Sequence, residues 1–584
     1  MSANDGAPRT EWVGLVVGPS AAEAWGAPSV RRVAFVGAGI REVVSLADAP
    51  GLAARIDADA DRPRWVWWAA AGGGRMLVEG GVRPARVWDV AEAHRLLVGG
   101  MDADPDLAWA TAHGLDPAGR PAAHRGDLLD LTGPGDDGDD GNGGDDDSPV
   151  RPDGYLRADA VAGQWAVTDD RLLAWAEALL TCAEAQRRAA ERVSARLVGT
   201  VPAESAAALL CEELRHDGLP VDRDALLSIV GPMSGPPAER DAEVLRLVPG
   251  QEHVDLRNPA SVRAMLAAVG IDVPSTRKHV LEDYVGVHPV VPALLRWRAE
   301  ERIATTYGLA WIAEHVGADD RLRGEWRACD GGAGRMTAAS GLHNLPAVLR
   351  PAVDAGPGHV FVRADLGQIE PRVLAVVSGD AAFVEATRAD DLYAPVASRL
   401  RVDRAHAKVA VLSAMYGGRA GSASAALAGL QREYPVAIAH LERAYEAGVR
   451  GEPVRTFGGR LIPTARMLGP NRRPGENPEL DSARGRFARN AIIQGAAAEF
   501  FKAWAATVRA TTRDLGARIV LCLHDELLVH TPRAHAEEVA ARVDRALLDA
   551  GRRWTGGSPV RFVSDTQVVT RWSEAKDVPP GTGG

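Results

Sequence analysis

The sequence predicts an α+β, multidomain chain, and three observations carry that reading. Strand-like runs interleaved with a helical segment open the chain, and long helical periodicities fill its middle. Two β-rich runs, each broken by acids, appear near residue 359 and again near 519.

The opening strands are WVGLVVG, RRVAFVG and RWVWWAAA, followed by the helical DVAEAHRLLVGG, and they read as a small α/β unit over 1–125. Residues 127–147, DLLDLTGPGDDGDDGNGGDDD, hold nine aspartates and no cation. Such a run cannot bury enough apolar surface to fold, so 126–152 is expected to be an acidic disordered linker. It does not meet the residue order of an EF-hand calcium loop. Residues 153–190 read as a connecting helical segment. From about 165 apolar residues recur at three and four positions in DRLLAWAEALLTCAEAQRRAAERV, SAAALLCEELRHDGL, ASVRAMLAAVG and PALLRWRAEERIATTYGLAWIAEHV. HVFVRADLG then returns to strand, helix fills much of 371–450, and RIVLCLHDELLVHT is strand again.

The chain of 584 residues is 46% hydrophobic and 25% charged, a composition able to bury a large core. Its net charge of −11 becomes −2 once the nine linker aspartates are set aside, so a polyanionic ligand stays open. The four cysteines have no zinc-like spacing and point to a reduced compartment. No apolar run approaches the roughly 18 to 20 residues of a spanning helix, and the N-terminus lacks signal-peptide regions. A cytoplasmic chain without a membrane partner is the expectation.

Two acids carry the chemistry. Asp365 sits just beyond a strand that leads into a helix at about Glu370 and Pro371, where Pro suits a first turn. Asp525 sits at the tip of a hairpin with strands 519–523 and 527–531. A lone Asp after a strand is usually a turn residue. If the strands are neighbours, however, the two carboxylates converge, and a pair of Mg²⁺ ions could satisfy both. A second cluster lies in DRAHAKVAVLSAMYGG, where Asp403 suits an N-cap and Arg404, Lys408, Leu412 and Tyr416 follow at steps of four, along one helix face. Periodicity alone is equally that of an amphipathic surface helix. Of 67 basic residues 63 are arginine, so the lysine kept at 408 is notable: Lys can release a proton where Arg cannot.

In order along the chain, DLGQIEPR, the spacing R-x3-K-x7-YG from Arg404 to Gly417, and LHDELLVH resemble the three motifs of family A (polymerase I type) DNA polymerases. The resemblance covers roughly 190–580. It implies a right-hand polymerase with an antiparallel palm sheet (301–375 and 480–584) and helical fingers (376–479) and thumb (191–300), preceded by the small α/β domain. It implies Asp365 and Asp525 as ligands of two Mg²⁺ ions with the Leu366 carbonyl, Glu526 as support, and Lys408 as proton donor. Arg404, Lys408, Leu412, Tyr416, Gln368 and Glu370 would surround the deoxynucleoside triphosphate, with Glu370 flooring the sugar pocket. Primer-template DNA would meet Arg335 and Asn344 from GRMTAASGLHNLP, Arg486, Asn490 and Gln494 from RFARNAIIQ, and His524. The departures are Leu412 where the family has Phe or Tyr, Leu366 and Gly367 for Tyr-Ser, and Tyr393 where His is common.

In such relatives the first domain is often a 3′-5′ exonuclease opened by D-x-E at a strand end. None occurs here, although YLRAD, Tyr155 to Asp159, has the Y-x3-D form of the last exonuclease motif. The expectation is a degenerate exonuclease-like scaffold with no 5′ nuclease domain, in a monomeric, nucleoid-associated polymerase for repair or gap filling. The alternatives are a weakly catalytic DNA-binding factor, a polymerase with an active exonuclease, and a metal-dependent nuclease. Heavy use of Ala, Gly, Arg and Pro fits a GC-rich, bacterial coding genome.

Overall fold

The computed structural model describes residues 12–18, 31–58, 62–121, 147–417, 423–465, 475–523 and 525–576. Most of the expected acidic linker, and His524, lie outside the described residues. The chain divides into two compact units, one of Met1–His216, Trp326–Thr337 and Val362–Val568, the other of Asp217–Glu325, Ala338–Phe361 and Val569–Gly584.

The first unit begins with a mixed five-stranded sheet in the order Ile40–Ser45, Arg32–Gly37, Trp12–Val17, Arg64–Trp67, Val87–Asp89. Trp12–Val17 pairs antiparallel with Arg32–Gly37 and parallel with Arg64–Trp67. The helix Asp169–Val193, expected as a connector, instead completes this domain. Leu172, Leu179, Cys182 and Ala183 on its apolar face share a core with Val16, Ala34, Val66 and Trp88. Its backbone comes close to the sheet: a Cβ on Gly14 would lie 3.2 Å from the Ala176 carbonyl oxygen, tighter than ordinary van der Waals contact. Asp89, fully buried at a strand end, caps the helix Val90–Val98: it accepts from the Glu92 amide at 2.9 Å, the Ala70 amide at 2.7 Å and the Trp67 indole at 2.9 Å.

The same unit holds a four-stranded sheet in the order Arg518–Leu523, Glu526–Pro532, His359–Leu366, Ser564–Val569. The hairpin register pairs Cys522 with Leu527 and Leu523 with Glu526, leaving Asp525 in the turn. The central strand runs past Asp365 to Leu366, because the Leu366 amide donates to the Asp525 carbonyl at 2.9 Å. Two long helices, Pro435–Val449 and Pro478–Thr512, cross at Gly448 and Gly485. A Cβ on Gly448 would fall 2.6 Å from the Arg484 carbonyl oxygen, so the backbones are in direct contact.

The second unit is mainly helical. Val244, Val262, Leu266, Val291, Leu294 and Trp297 centre its core. Its only described strand pairing between named strands joins Leu219–Pro220 to Arg321–Leu322.

Candidate active site

Three elements of the first unit, supplying Gln368 and Glu370, then Lys408, Leu412 and Tyr416, then Gln494 and Phe501, wall one cavity of about 300 Å³ that Arg335, Tyr393 and Asp525 complete. The first element is the bend after the central strand. Gln368 adopts a left-handed conformation, φ 54°, at the N-cap of the helix Ile369–Ser378, a strained geometry for a non-glycine residue. Its side chain holds the bend: Nε2 donates to Asp391 at 2.9 Å, and Oε1 accepts from the Leu392 amide at 2.8 Å. Fully buried Arg372 anchors the next turn by donating to the carbonyls of Gly367, Thr387, Ala389, Asp390 and Arg561. Burial lowers its pKa to about 10, so it stays charged at neutral pH.

The second element is the helix Arg404–Tyr416, capped by Asp403, which accepts from the His406 amide at 2.8 Å. Its step of four brings Lys408, Leu412 and Tyr416 to the cavity wall. Arg404 does not line the cavity. It forks onto Asp391, with Nε to Oδ2 at 2.5 Å, and lies 5.7 Å from the Tyr393 ring centroid. The Tyr416 hydroxyl donates to Glu370, and Arg335 Nη2 reaches the other Glu370 oxygen at 3.1 Å, so one carboxylate fixes two cavity walls. Burial and that bond to Glu370 both push the Tyr416 phenol well up.

The third element is the helix Pro478–Thr512. Gln494 lines the cavity; the Asn490 amide, with its nitrogen facing the Met415 carbonyl at 2.8 Å, ties this helix to the second; Arg486 is exposed and donates to Ser482 at 2.7 Å. Asn344 belongs to the second unit, where its carbonyl accepts from the Tyr307 hydroxyl at 2.9 Å.

Asp365 stands on the central strand, and Asp525 in the turn that leads into the neighbouring one. Asp525 faces the cavity, and burial, with Glu526 and Glu370 nearby, raises its pKa. Asp365 is half-exposed, while Glu526 is buried. Between them lies a residue that the sequence analysis passed over. Arg363 is 5% exposed and spans three carboxylates: Nη2 to Asp365 at 2.5 Å, Nε to Glu526 at 3.1 Å and Nη1 to Asp565 at 3.0 Å. The signal was present, since positions 363 and 365 share a strand face, but its partners become visible only once the strands are paired.

Two carboxylates on neighbouring strand ends supply hard oxygen donors of the kind Mg²⁺ takes, usually alongside water and substrate phosphates. Among the described residues no group of three His, Cys, Asp or Glu forms a self-sufficient metal cage.

The profile of DNA polymerase family A matches residues 262–574. The chain belongs to that family. Among its relatives, the thermostable DNA polymerase I of Thermus thermophilus is 31% identical over 298 residues, 47% of this chain and 35% of that protein. DNA polymerase I of Chloroflexus aurantiacus is 28% identical over 340 residues, 53% of this chain and 35% of the relative. The match thus spans about a third of the length of these relatives. The structure of the POL domain of Pol1 from M. smegmatis, in complex with DNA primer-template and dNTP, superposes with a TM-score of 0.68 at 20% identity, covering 96% of each chain. That likeness establishes the fold. Among the described residues, no helix is long and apolar enough to cross a membrane.

Proposed function

We propose that this family A member is a template-directed DNA polymerase, which adds deoxynucleotides to a primer 3′-hydroxyl. The observation that carries the reading is the convergence of Asp525, Lys408, Tyr416, Glu370 and Gln494 on one cavity, with Asp365 on the adjoining strand. In the reaction the primer oxygen attacks the α-phosphorus, the bond from that phosphorus to the bridging oxygen breaks, and pyrophosphate leaves. Two bound Mg²⁺ ions would supply Lewis-acid stabilisation of the charge that develops on the attacking and leaving oxygens. Asp365 and Asp525, with the Leu366 carbonyl, would hold them, and Glu526 would support the hairpin turn.

Lys408, exposed on the cavity wall, would meet the triphosphate and give a proton to the departing pyrophosphate, and Arg404 would add positive charge at the same helix end. Tyr416 and Leu412 pack on the nucleotide, while Glu370, held by Tyr416 and Arg335, closes the sugar side. Gln368 keeps the strand-to-helix bend in register. Arg335, Asn344, Arg486, Asn490, Gln494 and His524 are assigned to DNA, where amide and guanidinium donors in the minor groove test pair geometry without reading sequence.

Residues 301–375 and 480–584 are assigned to the palm, 376–479 to the fingers and 191–300 to the thumb. The N-terminal sheet is read as a scaffold without proofreading. Tyr155 donates to the Asp116 carbonyl at 2.9 Å, and Asp159 is engaged by Arg157 at 3.0 Å, so the Y-x3-D pair is used in local structure. Repair or gap filling by a monomer in the nucleoid is the cellular role assigned.

Primer extension with Mg²⁺ tests the reading. The wild type should extend a primed template, and Asp525→Ala should lose at least roughly a thousandfold in rate, the scale of removing a metal-holding catalytic group. A wild type that binds primed DNA without extending it would replace the reading with a non-catalytic binding factor. Removal of mismatched primer ends would overturn the scaffold assignment.

A further inference from the structure

The acid pair is not alone on its sheet face. Side chains two apart on a strand point the same way, so Arg363 and Asp365 project together from the central strand. The flanking strands add an acid on each side, Glu526 from Glu526–Pro532 and Asp565 from Ser564–Val569. The guanidinium thus sits among carboxylates from three adjacent strands, at 2.5 Å from Asp365, 3.1 Å from Glu526 and 3.0 Å from Asp565. It is nearly sealed from water, with 5% of its side chain exposed, while Asp365 keeps 34%. A planar fork that bonds several carboxylates at once is a role lysine cannot fill.

We propose that Arg363 is a positioning residue: an internal counter-ion that holds Asp365 and weakens divalent-ion binding at the acid pair. The inference rests on the assignment of Asp365 and Asp525 as metal ligands. Two effects have the same sign. The guanidinium puts a fixed positive charge beside the carboxylate that must face a dication, and like charges at such range repel strongly where water is scarce. It also occupies one oxygen of Asp365, so a bound ion has to share that oxygen or use the other. Its contact with buried Glu526 serves the fold at the same time, since an unpaired buried carboxylate would be costly. In the free enzyme one guanidinium therefore offsets part of the charge of three acids, and the ion gains most when a triphosphate arrives with further oxygen ligands.

The test is Mn²⁺ binding to the full chain without DNA or nucleotide, followed by loss of the free-ion electron paramagnetic resonance signal. It is run on the wild type, Arg363→Gln, Arg363→Lys and Asp365→Asn. Arg363→Gln should tighten Mn²⁺ binding about fivefold, the scale of a half-exposed ion pair. Arg363→Lys should tighten it by less, because it keeps the charge but not the fork. Circular dichroism reports whether each variant folds; if the Gln variant does not, the Lys variant decides. Unchanged or weaker Mn²⁺ binding in a folded Arg363 variant overturns the proposal. Loss of the binding in Asp365→Asn shows that the site observed is the acid pair. If Asp365→Asn binds like the wild type, the metal-ligand assignment fails and the proposal falls with it, an outcome distinct from an unresponsive Arg363.

Discussion

Glu370 does more at the residue scale than its place in one motif suggests. Its carboxylate accepts from Tyr416 and from Arg335, so removing it frees an aromatic wall and a cation together. Glu370→Ala should keep the fold but raise ribonucleotide relative to deoxynucleotide incorporation by roughly tenfold or more, as expected when a pocket loses its polar discriminator. Competition between the two nucleotides on one template measures it, and an unchanged ratio would remove Glu370 from sugar selection. Leu412, half-buried in the same wall, invites a companion test: Leu412→Tyr should still extend primers while its dideoxy-to-deoxy incorporation ratio moves. Lys408 and Tyr416 were legible in the sequence because one helix carries both at a fixed step. Arg363 was not, because its partners Glu526 and Asp565 lie 163 and 202 positions away. Alternation along a strand marks which residues share a face, not which neighbouring strand meets them.

At the scale of elements, the crossing of Pro435–Val449 and Pro478–Thr512 sets where Gln494 stands. Gly448→Ala at an exposed helix position would gain about 1 kcal/mol from propensity. Here the added Cβ would lie 2.6 Å from the Arg484 carbonyl oxygen and 2.7 Å from the Ala488 Cβ, and backbone cannot give way as a flexible side chain can. Overpacking, about 1 to 3 kcal/mol, should win, giving a net loss in denaturant unfolding. A stabilised Gly448→Ala protein would show that the helices do not touch there. This crossing was not legible beforehand, since helical periodicity marks an apolar face but not a partner. The segment 153–190 shows the same limit: its helix was legible, but its burial against the N-terminal sheet depends on Val16, Ala34 and Val66. The acid-bearing hairpin was legible because its apolar runs and its turn are local.

Across the whole first unit, a buried charge cluster joins distant parts of the chain. Glu204 is bonded by Arg460 at 2.5 Å and by Lys502 at 2.7 Å, and Glu499 accepts from Thr456 and from the Gly458 amide. Burial pushes the Glu499 carboxyl up to about 7, although Arg460 pulls it down. In the unfolded chain it ionises near about 4.3, so between there and about pH 7 the native state holds a proton that the unfolded state has lost. Stability should therefore decline as pH rises through that window and level off above it. Glu499→Gln, with no proton to lose, should flatten the decline, and melting temperatures from about pH 5 to 8 should separate the two proteins increasingly towards the alkaline end. Parallel curves would mean that Glu499 is ionised throughout.

On the proposed function, Asp365 from a central strand and Asp525 from a hairpin turn would hold ions at one point. Anomalous diffraction from crystals of the chain with primer-template, an incoming nucleotide and Mn²⁺ tests this most directly. Manganese peaks are expected within coordinating distance of carboxylate oxygens from both residues and of the triphosphate. Peaks that exclude either aspartate, in a complex with nucleotide bound, would contradict it.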